Sequence, residues 1–285
     1  MRIALVGNLF LLTAVTIGCS QWSPIEADPL TLPAALISPD TAKVEITFVM
    51  LPSQEPGLYH SLWQTVDETV IPISMRQPFR KNGLRWGIVG PVVPPVLHGL
   101  LDNAAAESGD GAELGKRLNW NGLWGQPTAR QLLLSDSRSG SILARKVTDG
   151  PLVLLLQDEA GVRGLSLEQA ECQFEINTRR LDGGNVELTL LPRIQHGEAK
   201  PKIVGHEGTW MVQSEREQKS LKQLIVRAQL RPGQILVLGA DQPIRGIGES
   251  FFAHQWHEGS PQRVLLIRLA NSLPSDLYKT NAASD

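Results

Sequence analysis

The chain has 285 residues, enough for one large domain or two small ones with buried cores. Its 27 basic and 29 acidic residues give a net charge of −2, which argues against nucleic acid as a partner because no cationic excess is available to displace counterions. Two cysteines exclude a disulfide framework, and 19 prolines with 26 glycines favour a turn-rich β protein over a helical bundle.

The N-terminus predicts export. Arg2 precedes a mostly apolar run, Ile3–Ile17, which fits a secretory signal better than a transmembrane helix. The run ends at Gly18-Cys19-Ser20 and resembles the lipobox of bacterial lipoproteins, although Thr16 stands where Leu is usual. The resemblance implies cleavage after residue 18, lipidation of Cys19 and, from Ser20, sorting to the outer membrane. An ordinary signal peptide and an uncleaved anchor are the alternatives.

A Pro-rich tether is predicted over residues 19–42, followed by a small α/β module over residues 43–104. The module begins with an alternating strand, Lys43–Leu51, and Leu84–Val89 is its second strand. Helical spacing predicts two helices between these strands and a third after Pro94-Pro95. The predicted order is therefore β-α-α-β-α.

A linker is predicted over residues 105–127, and a mainly antiparallel β domain over residues 128–271. Within the second region, strand patterns recur at short intervals and are separated by Gly- and Pro-containing turns. Residues 272–285 are polar and predict a flexible tail. The predicted fold class is α+β, with the small α/β module followed by the β domain.

The clearest single element is a β-hairpin over Gln169–Gln195. Alternation of Cys172, Phe174 and Ile176 with polar residues predicts one buried face, and Val186, Leu188 and Leu190 repeat the pattern. Asp182-Gly183-Gly184 supplies the positive-φ positions that a tight turn needs. Cys172 lies on the apolar face, which predicts an inert core thiol.

The second half resembles the C-terminal β domain of secretins, the pore proteins of bacterial secretion and pilus systems. The matching positions are Val186, Leu188, Pro192, Gly233, Gln234 and Gly239. The module upstream also looks like the modules that precede secretin pores. The resemblance implies a place in a secretion machine, although no stretch clearly supplies the two long membrane-inserting hairpins of a pore. The layout is also similar to that of uncharacterised bacterial envelope lipoproteins, which implies a location and no activity.

Two clusters are candidate ligand contacts. His254 and His257 with Glu258 could hold a metal on a helix, but the neighbouring Gly259-Ser260-Pro261 favours solvated loop histidines. Trp120 and Trp124 stand among amide side chains, as in sugar-binding loops, although tryptophan also packs between domains.

Other polar residues are weaker candidates. His196 and His206 flank a Lys-, Pro- and Gly-rich segment, interpreted as a loop, and could approach each other across a hairpin. The adjacent pairs Asp67-Glu68 and Asp158-Glu159 do not face one substrate. Gly246-Ile247-Gly248 lacks the strand-to-helix context of a dinucleotide site.

These patterns favour a non-catalytic envelope lipoprotein that binds or assembles other proteins. Its predicted partners are the membrane, through the lipid anchor, and envelope proteins, with no nucleic acid and no cofactor. The sequence leaves the enzyme question and the oligomeric state open, although it lacks the common catalytic motifs. A secretin-related secretion component is one alternative. A carbohydrate-binding or carbohydrate-active envelope protein is the other.

Overall fold

Twelve strands and four α-helices make up the part of the chain that the structure describes. The computed structural model describes residues 41–51, 55–108, 130–136, 138–148, 150–206, 209–253 and 261–272. The strands are β1 (Thr41–Leu51), β2 (Leu84–Val89), β3 (Arg130–Ser135), β4 (Gly140–Lys146), β5 (Leu152–Asp158), β6 (Gly161–Leu167), β7 (Glu171–Arg180), β8 (Val186–His206), β9 (Thr209–Ser220), β10 (Val226–Leu230), β11 (Ile235–Ala240) and β12 (Gln262–Ser272). The helices are α1 (Pro56–Thr65), α2 (Ile73–Lys81), α3 (Pro95–Ser108) and α4 (Gly246–Phe252), with 3-10 turns at Asp182–Gly184 and Lys222–Leu224. No helix in these ranges is long and apolar enough to cross a membrane.

The first sheet, sheet A, has the order β2-β11-β12-β1-β3, with antiparallel neighbours throughout. All six residues of β11 are buried, as expected for a strand covered on both faces. One face carries α1 and α3, whose Leu62, Trp63 and Leu97 pack on residues such as Val237 and Leu266. The helices thus form an outer layer.

Sheet B packs on the opposite face of sheet A. Its strand order is β10-β8-β7-β4, and β9 also pairs with β8 as an additional strand. The core between the sheets includes Phe174, which touches Phe251 and Phe252 of α4 at ring-centroid distances of 5.0 and 5.9 Å. The β5–β6 ribbon adds its buried face, including Leu154, to the same core.

The central hairpin is confirmed. β7 pairs with β8 in a register that places Ile176 opposite Leu190, and both side chains are fully buried. Gly183 and Gly184 have φ values of 69° and 77°, which glycine adopts without steric cost. Cys172 is also fully buried, and desolvation raises the pKa of its thiol to about 12.

The predicted division into two domains differs from the observed topology. The order β-α-α-β-α does occur along residues 41–108, and the fold is a mainly antiparallel α+β fold. However, β1 pairs with β12 and β3, and β2 pairs with β11, so residues 43–104 share one sheet with the predicted β domain. The described residues between positions 41 and 272 accordingly form one compact unit. Alternation shows which face of a strand is buried but does not identify its partner, so the sequence pattern could not reveal this.

The predicted boundaries are covered only in part. The linker was expected to begin at residue 105, whereas α3 continues to Ser108. Residues 109–129 and 273–285 lie outside the described residues, as do the predicted signal peptide and most of the tether.

Candidate functional site

The residues that the sequence singled out for binding are not among those that the structure describes. Cys19, Trp120, Trp124, His254 and His257 all lie outside the described ranges. Within those ranges, no three His, Cys, Asp or Glu side chains come close enough to hold a metal ion. The lipidation and ligand-contact assignments therefore stay predictions.

The two histidines considered as a pair lie far apart. The segment between them, interpreted as a loop, is strand, and His196 and His206 lie ten residues apart on β8. At a rise of about 3.3 Å per residue, their backbones are separated by roughly 30 Å. They therefore do not form the pair of ligands that a hairpin would have allowed.

The adjacent acidic residues have structural partners. Asp67 accepts hydrogen bonds from the backbone N–H and the hydroxyl of Thr69, which lower the pKa of its carboxyl. Glu68 binds the Arg85 guanidinium at 2.8 Å. Asp158 pairs with Arg163 across the turn of the β5–β6 ribbon. Asp158 thus lies beside a turn, as interpreted, whereas Asp67 and Glu68 follow the end of α1 at Thr65 and do not lie on a helix surface, because Asp67 forms a bridge with Ile88.

Gly246 and Gly248 serve a close backbone contact. Gly246 has a φ of +57°, and a Cβ on Gly248 would lie 1.7 Å from the carbonyl oxygen of Gly83. Gly248 also donates its N–H to the carbonyl of Asn82 at 3.0 Å. The Gly-x-Gly sequence thus packs α4 against the turn between α2 and β2.

The most distinctive surface is a two-stranded projection from sheet B. β8 has 21 residues, but its pairing with β7 ends at Gln195, opposite Glu171. Beyond that point it pairs only with β9, as far as His206 opposite Thr209. We call residues 197–219 the arm. From Lys200 to His206 the arm extends roughly 20–24 Å.

A bulge separates the arm from the body. Along β8, Lys200 lies four positions after His196, whereas along β9 their partners Glu217 and Glu215 lie two positions apart. β8 therefore contains two extra residues. Gly197 allows the bend with a φ of 72°, and its N–H donates to the carbonyl of Glu168 at 2.8 Å. Bulges of this kind bend a strand and strengthen its twist.

Arg216 holds the bulge against the body. Its Nε donates to the carbonyl of Gly197 at 2.9 Å, and its Nη2 donates to the carbonyl of Gln169. Its Nη1 lies 3.2 Å from the Glu171 carboxylate, which Lys146 also approaches to 3.2 Å. These groups line an open groove of about 540 Å³ at the root of the arm. The network fixes how the arm leaves the sheet.

The exposed apolar residues of the arm lie on the side opposite to the core-facing side of the body. In the body, the even-numbered residues Val186, Leu188 and Leu190 face the core. Because two extra residues preserve the alternation of sides, even-numbered positions of the arm continue that side, and one of them is Lys200. The apolar residue Ile203 is odd-numbered and lies on the other side, directly opposite Val212. Ile203 and Val212 therefore lie on the side that faces away from the core of the body and cannot be buried against it.

The apolar side of the arm is open to solvent. Ile203, Trp210 and Val212 are 67, 77 and 73% exposed. On the other side, Lys200 and Glu217 form an ion pair at 2.9 Å, which raises the pKa of the lysine and lowers that of the glutamate. The arm thus carries an ion pair on one side near its root and exposed apolar side chains on the other, and such exposed apolar side chains are suited to contact with another molecule.

A second exposed apolar surface lies on the β5–β6 ribbon. Its inner residues, such as Leu154, are buried, whereas Val153, Leu155 and Val162 on the outer face are at least half exposed. Unlike the arm, the ribbon buries the inner face of β5 in the core beneath it, and β5 contacts α4. We use it below as a matched control surface.

The sequence pattern predicts the strand Thr209–Gln213 of the arm but not the β8 segment that pairs with it, because Gly197, Lys200 and Pro201 suggested a loop. The available signal was the renewed alternation after Pro201, in Ile203 and then in Trp210 and Val212. Comparisons with protein-family models, with curated proteins and with solved structures found no match.

Proposed function

We propose that this protein is a non-catalytic, lipid-anchored module of the bacterial cell envelope that binds other envelope proteins through its arm. The observation that carries the proposal is the exposed apolar side of the arm at Ile203, Trp210 and Val212. Tryptophan is among the residues that contribute most to protein interfaces.

The physical state of the arm supports a partner. A two-stranded hairpin is marginally stable in water unless its apolar face is covered. The arm has no covering element among the described residues, and its attachment depends on the polar contacts of Arg216 at its root. A partner that covers the apolar side would bury three large side chains and would stabilise the strands.

The envelope location rests on the N-terminal sequence. The apolar run before Gly18-Cys19-Ser20 resembles a lipoprotein signal, and acylation at Cys19 would provide stable attachment to a membrane. We expect Cys19→Ala to move the protein from the membrane fraction to the soluble fraction. Metabolic labelling with a fatty-acid analogue tests this directly, and an unlabelled mature protein would contradict it.

Co-purification tests the binding function. The full chain would be isolated from native membranes in detergent, as wild type and as the triple variant Ile203→Ser, Trp210→Ser, Val212→Ser. The matched control is Val153→Ser, Leu155→Ser, Val162→Ser on the β5–β6 ribbon. We expect specific envelope proteins to be lost from the arm variant and retained by the control. Equal recovery of all proteins in both variants would refute the proposal.

A secretin-related role is a second candidate, and the arm favours it. The resemblance of the second half to the secretin β domain requires long hairpins, and β8 with β9 provides one such hairpin. This role requires assembly into a large homo-oligomer. Analytical ultracentrifugation of the detergent-solubilised full chain distinguishes the candidates, because a monomer or dimer would exclude the secretin-related role.

A further inference from the structure

We propose that β9 binds an extended segment of a partner protein as an added strand, along its outer edge between Thr209 and Ser214. The inference rests on the proposed binding function and specifies the mode of binding and the chemistry of the partner. Strand addition supplies affinity through backbone hydrogen bonds and specificity through alternate side chains.

The outer edge of β9 is available for pairing. β9 has 12 residues and pairs with β8 along one edge, and no strand in the described part of the chain pairs with its other edge. In an antiparallel ladder, alternate residues direct both their N–H and C=O groups to the same edge. About six residues of β9 therefore present backbone groups outward.

The other edge strands are shorter or modified. β10 has five residues, β3 has six, and β5 and β6 of the two-stranded ribbon have seven each. β4 contains a bulge between Leu143 and Arg145, and β2 is bridged at Ile88 by Asp67. Short strands, bulges and covering segments are the usual means by which proteins prevent unwanted strand pairing.

The two halves of β9 differ in this protection. Glu215–Ser220 contains four charged residues in six, which discourages pairing. Thr209–Ser214, with the sequence TWMVQS, contains no charge, no proline and no glycine, a composition that favours strand addition. The facing strand β8 carries Lys200-Pro201-Lys202, so its own free edge is protected. The unprotected edge is therefore the tip half of β9.

The side chains of the arm define the partner. A strand antiparallel to β9 would place apolar residues beside Trp210 and Val212 at every second position. Toward the root it would pass Glu215 and Glu217, where opposite charges across a strand pair are favourable, so lysine or arginine fits there. The expected partner segment is a β-branched stretch preceded by alternate basic residues.

A synthetic peptide with this pattern, KTKVTVTVT, serves as the probe, and KTKVPVTPT is the control that cannot complete the ladder. Residue-resolved amide hydrogen exchange would be measured on the full chain. We expect alternate amides between Thr209 and Ser214 to exchange about tenfold more slowly with the probe, and β8 amides to be unchanged. Unchanged exchange, or equal slowing on both strands, would overturn the proposal.

Two variants separate strand addition from packing on the apolar side. Trp210→Lys places a charge on the unprotected strand and should weaken probe binding by about tenfold or more. Ile203→Lys places a charge on the same side of the arm but on β8, and should change probe binding by no more than about threefold. Equal losses would indicate face packing and would refute strand addition. If the probe adds to β9 while the serine variant retains every envelope protein, the edge site stands and the proposed function fails. If the arm variant loses envelope proteins but the probe does not slow exchange of alternate β9 amides, the proposed function stands and the strand-addition proposal fails.

Discussion

Cys172 illustrates how burial alone determines the chemistry of a side chain. Its thiol lies on the core face of β7, where desolvation raises its pKa from about 9 to about 12 despite the nearby charge of Arg145. The thiolate is the nucleophilic form of cysteine, so Cys172 is unreactive near neutral pH.

The raised pKa of Cys172 predicts how the stability of the protein changes with pH. Because the folded-state pKa is raised, the contribution of Cys172 to stability is complete below about pH 9 and is lost as the pH rises toward 12. In a Cys19→Ala background, we expect the free energy of unfolding to fall by about 2–3 kcal/mol more between pH 8 and 11 than in the same chain with Cys172→Ala. Urea unfolding at each pH measures the difference, and parallel pH curves would contradict the account.

Asn82 joins two elements through one buried amide. Its Nδ2 donates to the carbonyls of Pro78 and Gln157 at 2.9 and 2.8 Å, and its Oδ1 accepts the N–H of Gln157 at 2.8 Å. The backbone of the adjacent Gly83 has a φ of +71° and abuts Arg245, which precedes α4. The side chain therefore connects α2 to β5 beside the point where α4 begins.

We expect Asn82→Asp to destabilise the protein more than Asn82→Ala. The aspartate keeps the acceptor but loses both donors and places a charge beside two carbonyl oxygens, at a cost of about 2–4 kcal/mol, against about 1–3 for alanine. Thermal and urea unfolding of the two variants measure the order. An aspartate variant as stable as wild type would show that the hydrogen bonds to Pro78 and Gln157 contribute nothing.

At the scale of elements, the two faces of the central hairpin contribute differently to the free energy of unfolding. Phe174 and Leu188 are fully buried, whereas Asn177 is partly exposed on the outer face. We expect Phe174→Ala to cost about 3–5 kcal/mol and Leu188→Ala about 2–5, against about 0.5 or less for Asn177→Ala. Glu175→Ala should cost up to about 1 kcal/mol because its partner Arg193 is lost.

The contrast between faces is the informative quantity, since a one-residue error in register would reverse it. Urea unfolding of the four variants measures it. Equal large losses on both faces would show that a partner or a missing layer covers the outer face of sheet B.

The arm depends on its root, and Arg216 tests this dependence. Arg216→Met removes the donors to Gly197 and Gln169 and the ion pair with Glu171. We expect faster proteolytic cleavage within the arm and a loss of about 1–3 kcal/mol in unfolding free energy. Arg179→Met is the matched control, because Arg179 is mostly exposed and pairs with Glu187 across the hairpin, away from the root of the arm. Identical cleavage of both variants would mean that the bulge alone holds the arm.

Strand patterns in the sequence predicted many of these elements, including β1, β2 and the β7–β8 hairpin, because alternation records which face is buried. They predicted one strand of the arm, at Thr209–Gln213, but not the strand that pairs with it. Gly197 and Pro201 resemble loop residues, and beyond them the exposed apolar residues Ile203, Trp210 and Val212 lie on the side opposite to the core-facing side. Nor did they predict the partners of β1 and β2, since pairing with β12 and β11 brings together residues more than 140 positions apart along the chain.

At the scale of the molecule, the C-terminal strand organises the fold. β12 lies at the centre of sheet A and pairs with β11 on one side and with β1 on the other, so strands from both ends of the described chain share one core. Sheet A is covered by helices on one face and by sheet B on the other, and together these layers form the body of the molecule. The arm leaves the body as a separate binding element, and the account predicts that it carries the contacts to partners.

Site-specific photocrosslinking in the native envelope tests that prediction most directly. A photoreactive phenylalanine analogue would replace Val212 on the arm or, as the control, Val153 on the β5–β6 ribbon, in the otherwise unaltered chain. The account predicts covalent adducts with another envelope protein from position 212 and none from position 153. No adduct at position 212, or the same adducts at both positions, would contradict it.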